Sequence, residues 1–385
     1  MAKKRKIRMG MVGGGRGAFI GNVHRMAAAM DGQIELVCGA FSSSAKKSKL
    51  SGADLFLPAN RVYASYEEMI QKEKELPENE RMDFVSIVTP NHVHFGPAKM
   101  ALENGFHVVC DKPVTFNMKE AIELQKLVKK KKLLFALTHN YTGYPMVKEA
   151  RSIIKKKKLG EIRKVIVEYP QGWLSTFLEK SNQKQAAWRT DPKKSGQAGA
   201  MGDIGTHAEN LAEYITGLKI TQLCADLNTV VKGRKLDDDG TVLLRFDNGA
   251  SGVLLASQIC AGEENNLRIR IYGEKGGLDW NQQEPNSLLL KWQNRTTELI
   301  RTGVGNLSKE TQAHTRIPAG HPEGYLEAFA NIYRNFAFTL QSVLINKKPN
   351  QLYMDFPTID DGVRGMKFIS KVIEASKSKQ KWVKF

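Results

Sequence analysis

Residues 7–41 read IRMGMVGGGRGAFIGNVHRMAAAMDGQIELVCGAF. Ile7, Met9, Met11 and Val12 crowd into a short apolar run that stops at Gly13-Gly14-Gly15-Arg16-Gly17-Ala18, the pattern of a buried strand closed by a turn. Beyond the turn, Phe19, Val23, Met26 and Ala27 recur at helical spacing, and residues 34–40 form a second apolar run. Strand, glycine turn, helix, strand is the context in which G-x-G-x-x-A signals dinucleotide binding. Gly13 permits the sharp turn, Gly15 lets backbone N–H groups approach a pyrophosphate, and small Ala18 lets the helix lie close on the sheet. The phosphates then meet the positive end of that helix.

An acidic residue about 20 positions past such a turn commonly takes the ribose hydroxyls. Here the second strand runs out through Phe41 into Ser42, Ser43 and Ser44, with Lys46 and Lys47 just beyond. Hydroxyls and ammonium groups suit a 2′-phosphate, whereas serines also bond a plain ribose, so NAD and NADP both stay open.

The chain of 385 residues is long enough for two cores. Its 41% apolar and 25% charged residues are those of a soluble globular protein. The formal net charge of +18 is concentrated in short clusters: Lys3 to Lys6, residues 129–132, residues 155–158 and Lys347-Lys348. Cations at helix ends complement the backbone dipole, and the same charge would steer anionic cofactors or substrates. A nucleic-acid partner is disfavoured, because no zinc-finger, RNP or basic-zipper pattern accompanies the lysines. Cys38, Cys110, Cys224 and Cys260 are far apart in apolar runs, which predicts free thiols, no metal site and a reducing, cytoplasmic setting. The basic start leads straight into the first strand, and no stretch of 18 apolar residues occurs, so neither a signal peptide nor a membrane span is expected.

Up to residue 140, strands and helices alternate, which predicts a doubly wound parallel sheet. Ligands gather at the carboxyl ends of such strands. Those ends carry Gly13 to Gly17, then Asn91 with His92, then Asp111-Lys112-Pro113, then His139 with Asn140. Beyond residue 140 strands follow one another without intervening helices, which predicts a large, mostly antiparallel open sheet. One hairpin is marked by Asp247-Asn248-Gly249, read as a type I′ turn. Two helices, over residues 324–344 and 360–375, close the chain. The fold class is therefore α/β, with a Rossmann domain over 1–140 and a second α/β domain over 141–385.

Two segments have the residues for chemistry: Val109-Cys110-Asp111-Lys112-Pro113, and Gly199-Ala200-Met201-Gly202-Asp203-Ile204-Gly205-Thr206-His207. Asp203 and His207 are four apart and share a helix face. With the glycine turn, Thr89-Pro90-Asn91 with His94, and the late Tyr272-Gly273-Glu274-Lys275-Gly276-Gly277, the chain resembles the Gfo/Idh/MocA family, the glucose-fructose oxidoreductase and inositol dehydrogenase group. Asp111 stands where that family usually has glutamate. The resemblance implies NAD(P)-dependent oxidation of a sugar or polyol hydroxyl, with Lys112, Asp203 and His207 catalytic. It further implies cofactor contacts from Gly13, Gly15, Arg16, Gly17, Ala18, Phe41, Ser42, Ser43, Thr89, Pro90, Asn91, His94, Asp111 and Lys112, no metal, and a homo-oligomer, dimer or tetramer, built on the open sheet. Histidine suits the base for a hydroxyl proton, and lysine suits an alkoxide partner. Two alternatives compete: a glycosidase that uses NAD transiently, and a non-catalytic dinucleotide-binding regulator.

Overall fold

The structure, a computed structural model, describes residues 5–181 and 183–385, so Lys3 and Lys4 of the first basic cluster lie outside the described residues. The chain divides into two compact units: Met1–Asn140 with Leu326–Val363, and Tyr141–Tyr325 with Arg364–Phe385.

In the first unit β1 (Ile7–Gly13), β2 (Ile34–Ala40), β3 (Phe84–Val88), β4 (His107–Cys110) and β5 (Phe135–Leu137) pair in parallel, in the order β2-β1-β3-β4-β5. Helices α1 (Phe19–Met30), α2 (Ala45–Asp54), α3 (Tyr66–Glu75), α4 (Phe95–Glu103) and α5 (Met118–Lys131) connect them. Every residue of β3 and β4 is buried, as a sheet covered on both faces requires. Strand order reverses beside β1, so the crevice of this sheet falls at the carboxyl end of β1, where the glycine turn lies.

Close approach of α1 to that turn depends on Gly21. A Cβ there would lie 2.3 Å from Gly14 Cα. Ala18, to which the sequence pattern gave that task, is instead the extended residue preceding the helix.

The second unit is built on nine strands: β6 (Ile162–Pro170), β7 (Ile220–Asn228), β8 (Asp239–Phe246), β9 (Ser251–Ser257), β10 (Arg268–Gly273), β11 (Gly276–Asn281), β12 (Ser287–Trp292), β13 (Glu298–Arg301) and β14 (Val383–Lys384). Their order is β13-β12-β11-β10-β6-β9-β8-β7-β14, antiparallel throughout except for the central pair β6 and β9, which runs parallel. Helices α6 (Pro145–Lys155), α7 (Lys184–Arg189), α8 (Pro192–Ser195), α9 (Thr206–Thr216) and α10 (Lys309–His314) lie in this unit, and α11 (Tyr325–Leu344) and α12 (Ile359–Lys377) follow.

Val165, Val167, Val242, Leu244, Leu254, Ile269 and Ile271 point to the covered face of the sheet, where α6 and α9 pack. The alternate positions Ile166, Val253, Leu255 and Leu289 are half-buried, and Leu243 and Leu299 are exposed. Between β8 and β9, Gly249 alone among the three loop residues has positive φ, at +86°. Phe246 and Ala250 pair around it. The turn is thus a three-residue loop ending in a left-handed glycine rather than type I′, which needs two positive φ values.

Residues 326–363 return to the first unit. Phe336 meets Phe84 edge to face at 5.0 Å, and Leu137 N–H donates to Pro357 O at 2.8 Å. This return carries no turn or periodicity signal in the sequence, because its partners lie more than 200 residues upstream.

Replacing Gly21 by Ala forces α1 away from Gly14. The expected cost is about 1–3 kcal/mol of stability, read as a lower melting temperature, together with weaker NADH binding measured by fluorescence titration.

Candidate active site

The carboxyl ends of the first unit's strands are held by buried polar side chains. Gly13 and Gly14 adopt φ of +83° and +71°, a region open to glycine and costly to other residues. Gly15 donates its N–H to Phe41 O at 3.1 Å, and a Cβ on it would lie 2.6 Å from Ser51 Oγ. Its missing side chain is therefore required by packing against β2 and α2. Phe41 is buried, its ring over Gly39. Arg16 N–H donates to Ser51 Oγ, while its exposed guanidinium pairs with Asp54. Ser44 caps α2, and Ser42 Oγ accepts from Ser44 N–H.

A dinucleotide fits these residues. Side chains cap α2, α3 and α5, but α1 has neither a side-chain cap nor an acid in its first turn. The N–H groups there keep their attraction for phosphate. Thr89 Oγ1, at the end of β3 beside Gly13, and Asn140 Nδ2, past the end of β5, are buried without a protein partner. Buried polar atoms of this kind are costly unless a ligand or water satisfies them.

His94 stands beneath this surface. Its two ring nitrogens lie 2.8 Å from Thr89 O and 2.7 Å from Pro113 O, so the imidazole sits between the end of β3 and the Lys112 loop and, when neutral, donates to one of these carbonyls. Asp111 turns inward too: its Oδ1 accepts from Lys112 N–H at 2.9 Å and from the Thr138 hydroxyl at 2.8 Å, and His24 Nε2 lies 3.9 Å away. Burial opposes ionisation of Asp111, but His24 and the charges of Lys112 and His94 outweigh it and hold the carboxyl below its ordinary value.

His24 is fully buried and bonds Tyr333 Oη at 2.7 Å, which bonds Ser86 Oγ at 2.8 Å. Nothing local in the sequence marks Tyr333 as the partner of His24, 309 positions away. Burial, with the Lys112 ammonium behind it, pushes His139 down to about 3. Burial likewise brings His107 to about 4 and lowers His94.

The second unit holds Asp203 and His207. Met201–Gly205 is a turn of π-helix running into α9, a distortion frequent at functional sites. Asp237 fixes its start: Gly199 N–H and Met201 N–H donate to the two carboxylate oxygens at 2.6 and 2.8 Å. Burial raises the Asp237 pKa, and these two donors oppose the rise.

Asp203 accepts from Gln258 Nε2 at 3.0 Å and lies 3.3 Å from Arg189 Nε, whose guanidinium stacks 4.4 Å over Trp188. His207 is buried, perpendicular to the Tyr141 ring at 4.8 Å. Around them run Gln171, Gln258, Asn265 and Tyr169. None of these four stood out in the sequence. Gln171 and Gln258 each follow one strand of the parallel pair β6 and β9, and that pairing is invisible to turn signals. Tyr141 had a signal, its place directly after His139-Asn140 at a strand end.

Among the described residues no group of His, Cys, Asp and Glu side chains is arranged to hold a metal, and no helix is long and apolar enough to cross a membrane. The four cysteines are free, Cys38 and Cys110 buried.

Comparison with known proteins follows the same division. Residues 7–139 match the oxidoreductase family with NAD-binding Rossmann fold, and residues 147–279 match the GFO/IDH/MocA C-terminal domain. The uncharacterized oxidoreductase YfiI of Bacillus subtilis is 33% identical over 98% of this chain and 97% of its own. Levoglucosan dehydrogenase of Pseudarthrobacter phenanthrenivorans is 26% identical over 73% of this chain and 75% of its own. Among solved structures, an inositol dehydrogenase homolog from Azotobacter vinelandii complexed with NAD+ superposes with a TM-score of 0.94 at 32% identity, covering 99% of this chain and 98% of the other.

His94, His107 and His139 all have folded-state pKa values below the unfolded value near 6.5. Their contribution is therefore complete above about pH 6.5 and lost as pH falls from there toward 4 and 3, by up to about 1.4 kcal/mol per pH unit for each histidine. Melting temperature measured from pH 8 to pH 4.5 is expected to be flat above 7 and to drop progressively below 6.5.

Proposed function

We propose that this chain, which belongs to the Gfo/Idh/MocA family of NAD(P)-dependent oxidoreductases, oxidises a secondary hydroxyl of a sugar, sugar derivative or polyol. The observation that carries this reading is the set around His207. A carboxylate, three side-chain amides, a guanidinium and phenols, all on one unit, match the alternating donors and acceptors of a polyhydroxy compound. The names of the inositol and levoglucosan dehydrogenase relatives support the same substrate class.

In this reading His207 takes the hydroxyl proton, Asp203 orients substrate or imidazole, and Lys112 stabilises developing negative charge on the reacting oxygen. Gly13 to Ala18, the first N–H groups of α1, Thr89 and Asn140 hold the dinucleotide. Bound nicotinamide supplies the hydride acceptor. Burial of His207 keeps the proton transfer from bulk water. NAD is favoured over NADP, because the Azotobacter relative was crystallised with NAD+.

A homo-oligomer through the open sheet face is part of the same reading. Ile166, Val253, Leu255 and Leu243 form an apolar patch on it, which Arg270 and Asp279 separate from Leu289 and Leu299.

Absorbance at 340 nm, with NAD and NADP separately, against inositols, aldoses, anhydrosugars and glycosides tests the activity. Turnover is expected with NAD, falling at least ~100-fold in Lys112→Ala and His207→Ala. Glycoside cleavage without net cofactor reduction would instead establish the transient-redox glycosidase. Light scattering is expected to give a dimer or tetramer for the wild type and a smaller species for Leu243→Arg.

A further inference from the structure

A chain of hydrogen bonds joins Trp173 to the ring that faces His207. The Trp173 indole N–H donates to Gln171 Oε1 at 3.0 Å, and Gln171 Nε2 donates to Asn265 Oδ1 at 2.6 Å. Asn265 Nδ2 donates to Tyr141 Oη at 3.2 Å, while Tyr169 Oη donates to Asn265 Oδ1 at 2.7 Å. Tyr141 and Tyr169 bond each other through their hydroxyls. Tyr141, Tyr169 and Asn265 thus close a three-membered circuit in which each donates once.

An amide can be turned end for end, and a hydroxyl hydrogen can point either way. An indole nitrogen can only donate. Trp173 therefore obliges Gln171 to present its carbonyl oxygen there and its NH2 to Asn265. Asn265 must then present its oxygen to Gln171 and its NH2 to Tyr141, which leaves the Tyr141 hydroxyl no direction but Tyr169, and the Tyr169 hydroxyl none but Asn265. Gln258 agrees with this polarity, donating from one NH2 to both Gln171 Oε1 at 3.3 Å and Asp203 Oδ2 at 3.0 Å. Burial raises both phenol pKa values, so the protons this scheme needs are present at neutral pH.

We infer that Trp173 is a positioning residue that sets, through Gln171 and Asn265, the polarity of the Tyr141-Tyr169-Asn265 circuit and thereby fixes the Tyr141 ring against His207. The inference rests on the reading of His207 as the base. Loss of the indole donor leaves Gln171 Oε1 only the longer 3.3 Å contact from Gln258, so the Gln171 amide is held less firmly in this orientation and the circuit that seats Tyr141 beside the imidazole is loosened. The bonds polarise one another, so a defect in one weakens those next to it.

A double-mutant cycle of Trp173→Phe and Tyr169→Phe, two residues that share no hydrogen bond, reads this directly. Each single variant is expected to lower kcat about tenfold, with KM for Tyr169→Phe within about twofold of wild type, and the double variant to be no worse than the poorer single one. A double loss equal to the product of the two single losses, about 100-fold, would overturn the proposal. Gln171→Glu keeps the acceptor for Trp173 and removes the donor to Asn265, so it must reproduce the tenfold loss even if Trp173→Phe fails to fold. Wild-type kcat in Gln171→Glu would also sink the idea. NADH binding by fluorescence is expected to be unchanged in each variant, as the first unit carries it. His207→Ala is measured in parallel: full turnover there removes the base assignment itself, whereas an inactive His207→Ala beside a multiplicative cycle removes only the role of Trp173.

Discussion

The parallel pairing of β6 with β9 is the constraint on which the second unit's chemistry depends. It sets Pro170 beside Ser257 and lets Gln171 N–H donate to Ser257 O at 2.8 Å. Two strands that leave the sheet together in one direction deliver two glutamines to one place, and an antiparallel neighbour would have sent one of them to the opposite edge. Asp203 reaches the same place from a different element, because the π-turn before α9 begins on the Asp237 carboxylate. Three backbone devices far apart in sequence thus converge on a few side chains.

In the first unit the corresponding constraint is burial of polar groups beneath the strand ends. His24, Ser86 and Tyr333 bond one another and His94 lies against two loop carbonyls, while His24 Nε2 beside Asp111, like Thr89 Oγ1 and Asn140 Nδ2 at the strand ends, has no hydrogen-bond partner. Thr89 Oγ1 and Asn140 Nδ2 remain as polar groups that a ligand can satisfy. The shorter Asp111, in place of the glutamate usual in the family, bonds the Lys112 N–H and Thr138 without reaching out of the fold.

Much of this was legible in the sequence wherever the cause was local. The glycine turn and the run of alternating strands and helices each announce themselves within a few residues. So did the family, since its motifs are short. The close approach of α1 was legible as a requirement but assigned to Ala18 rather than Gly21, because spacing shows that a small residue is needed without showing which turn of the helix touches the sheet. The β8–β9 turn was misread for a related reason: Asn-Gly marks a tight turn, but loop length is set by the register of the flanking strands. Gln171, Gln258, Asn265 and Tyr333 were not legible, because amides and phenols at strand ends acquire meaning only from neighbours that the fold supplies.

Discontinuity of the first unit also has a consequence for how the chain is made. Synthesis proceeds from the amino terminus, and when residue 140 has emerged the parallel sheet has all five strands, yet His24 and Ser86 still lack the Tyr333 hydroxyl and Phe84 lacks Phe336. Nearly 200 further residues, including most of the nine-stranded sheet, are translated before those partners arrive. The nascent Rossmann sheet therefore spends that interval with an exposed apolar flank and unpaired interior polar groups, and the second unit completes most of its own sheet first. The two units are thus interleaved in synthesis: the first closes only after most of the second unit's sheet has been made, and the second takes its strand β14 from residues that follow.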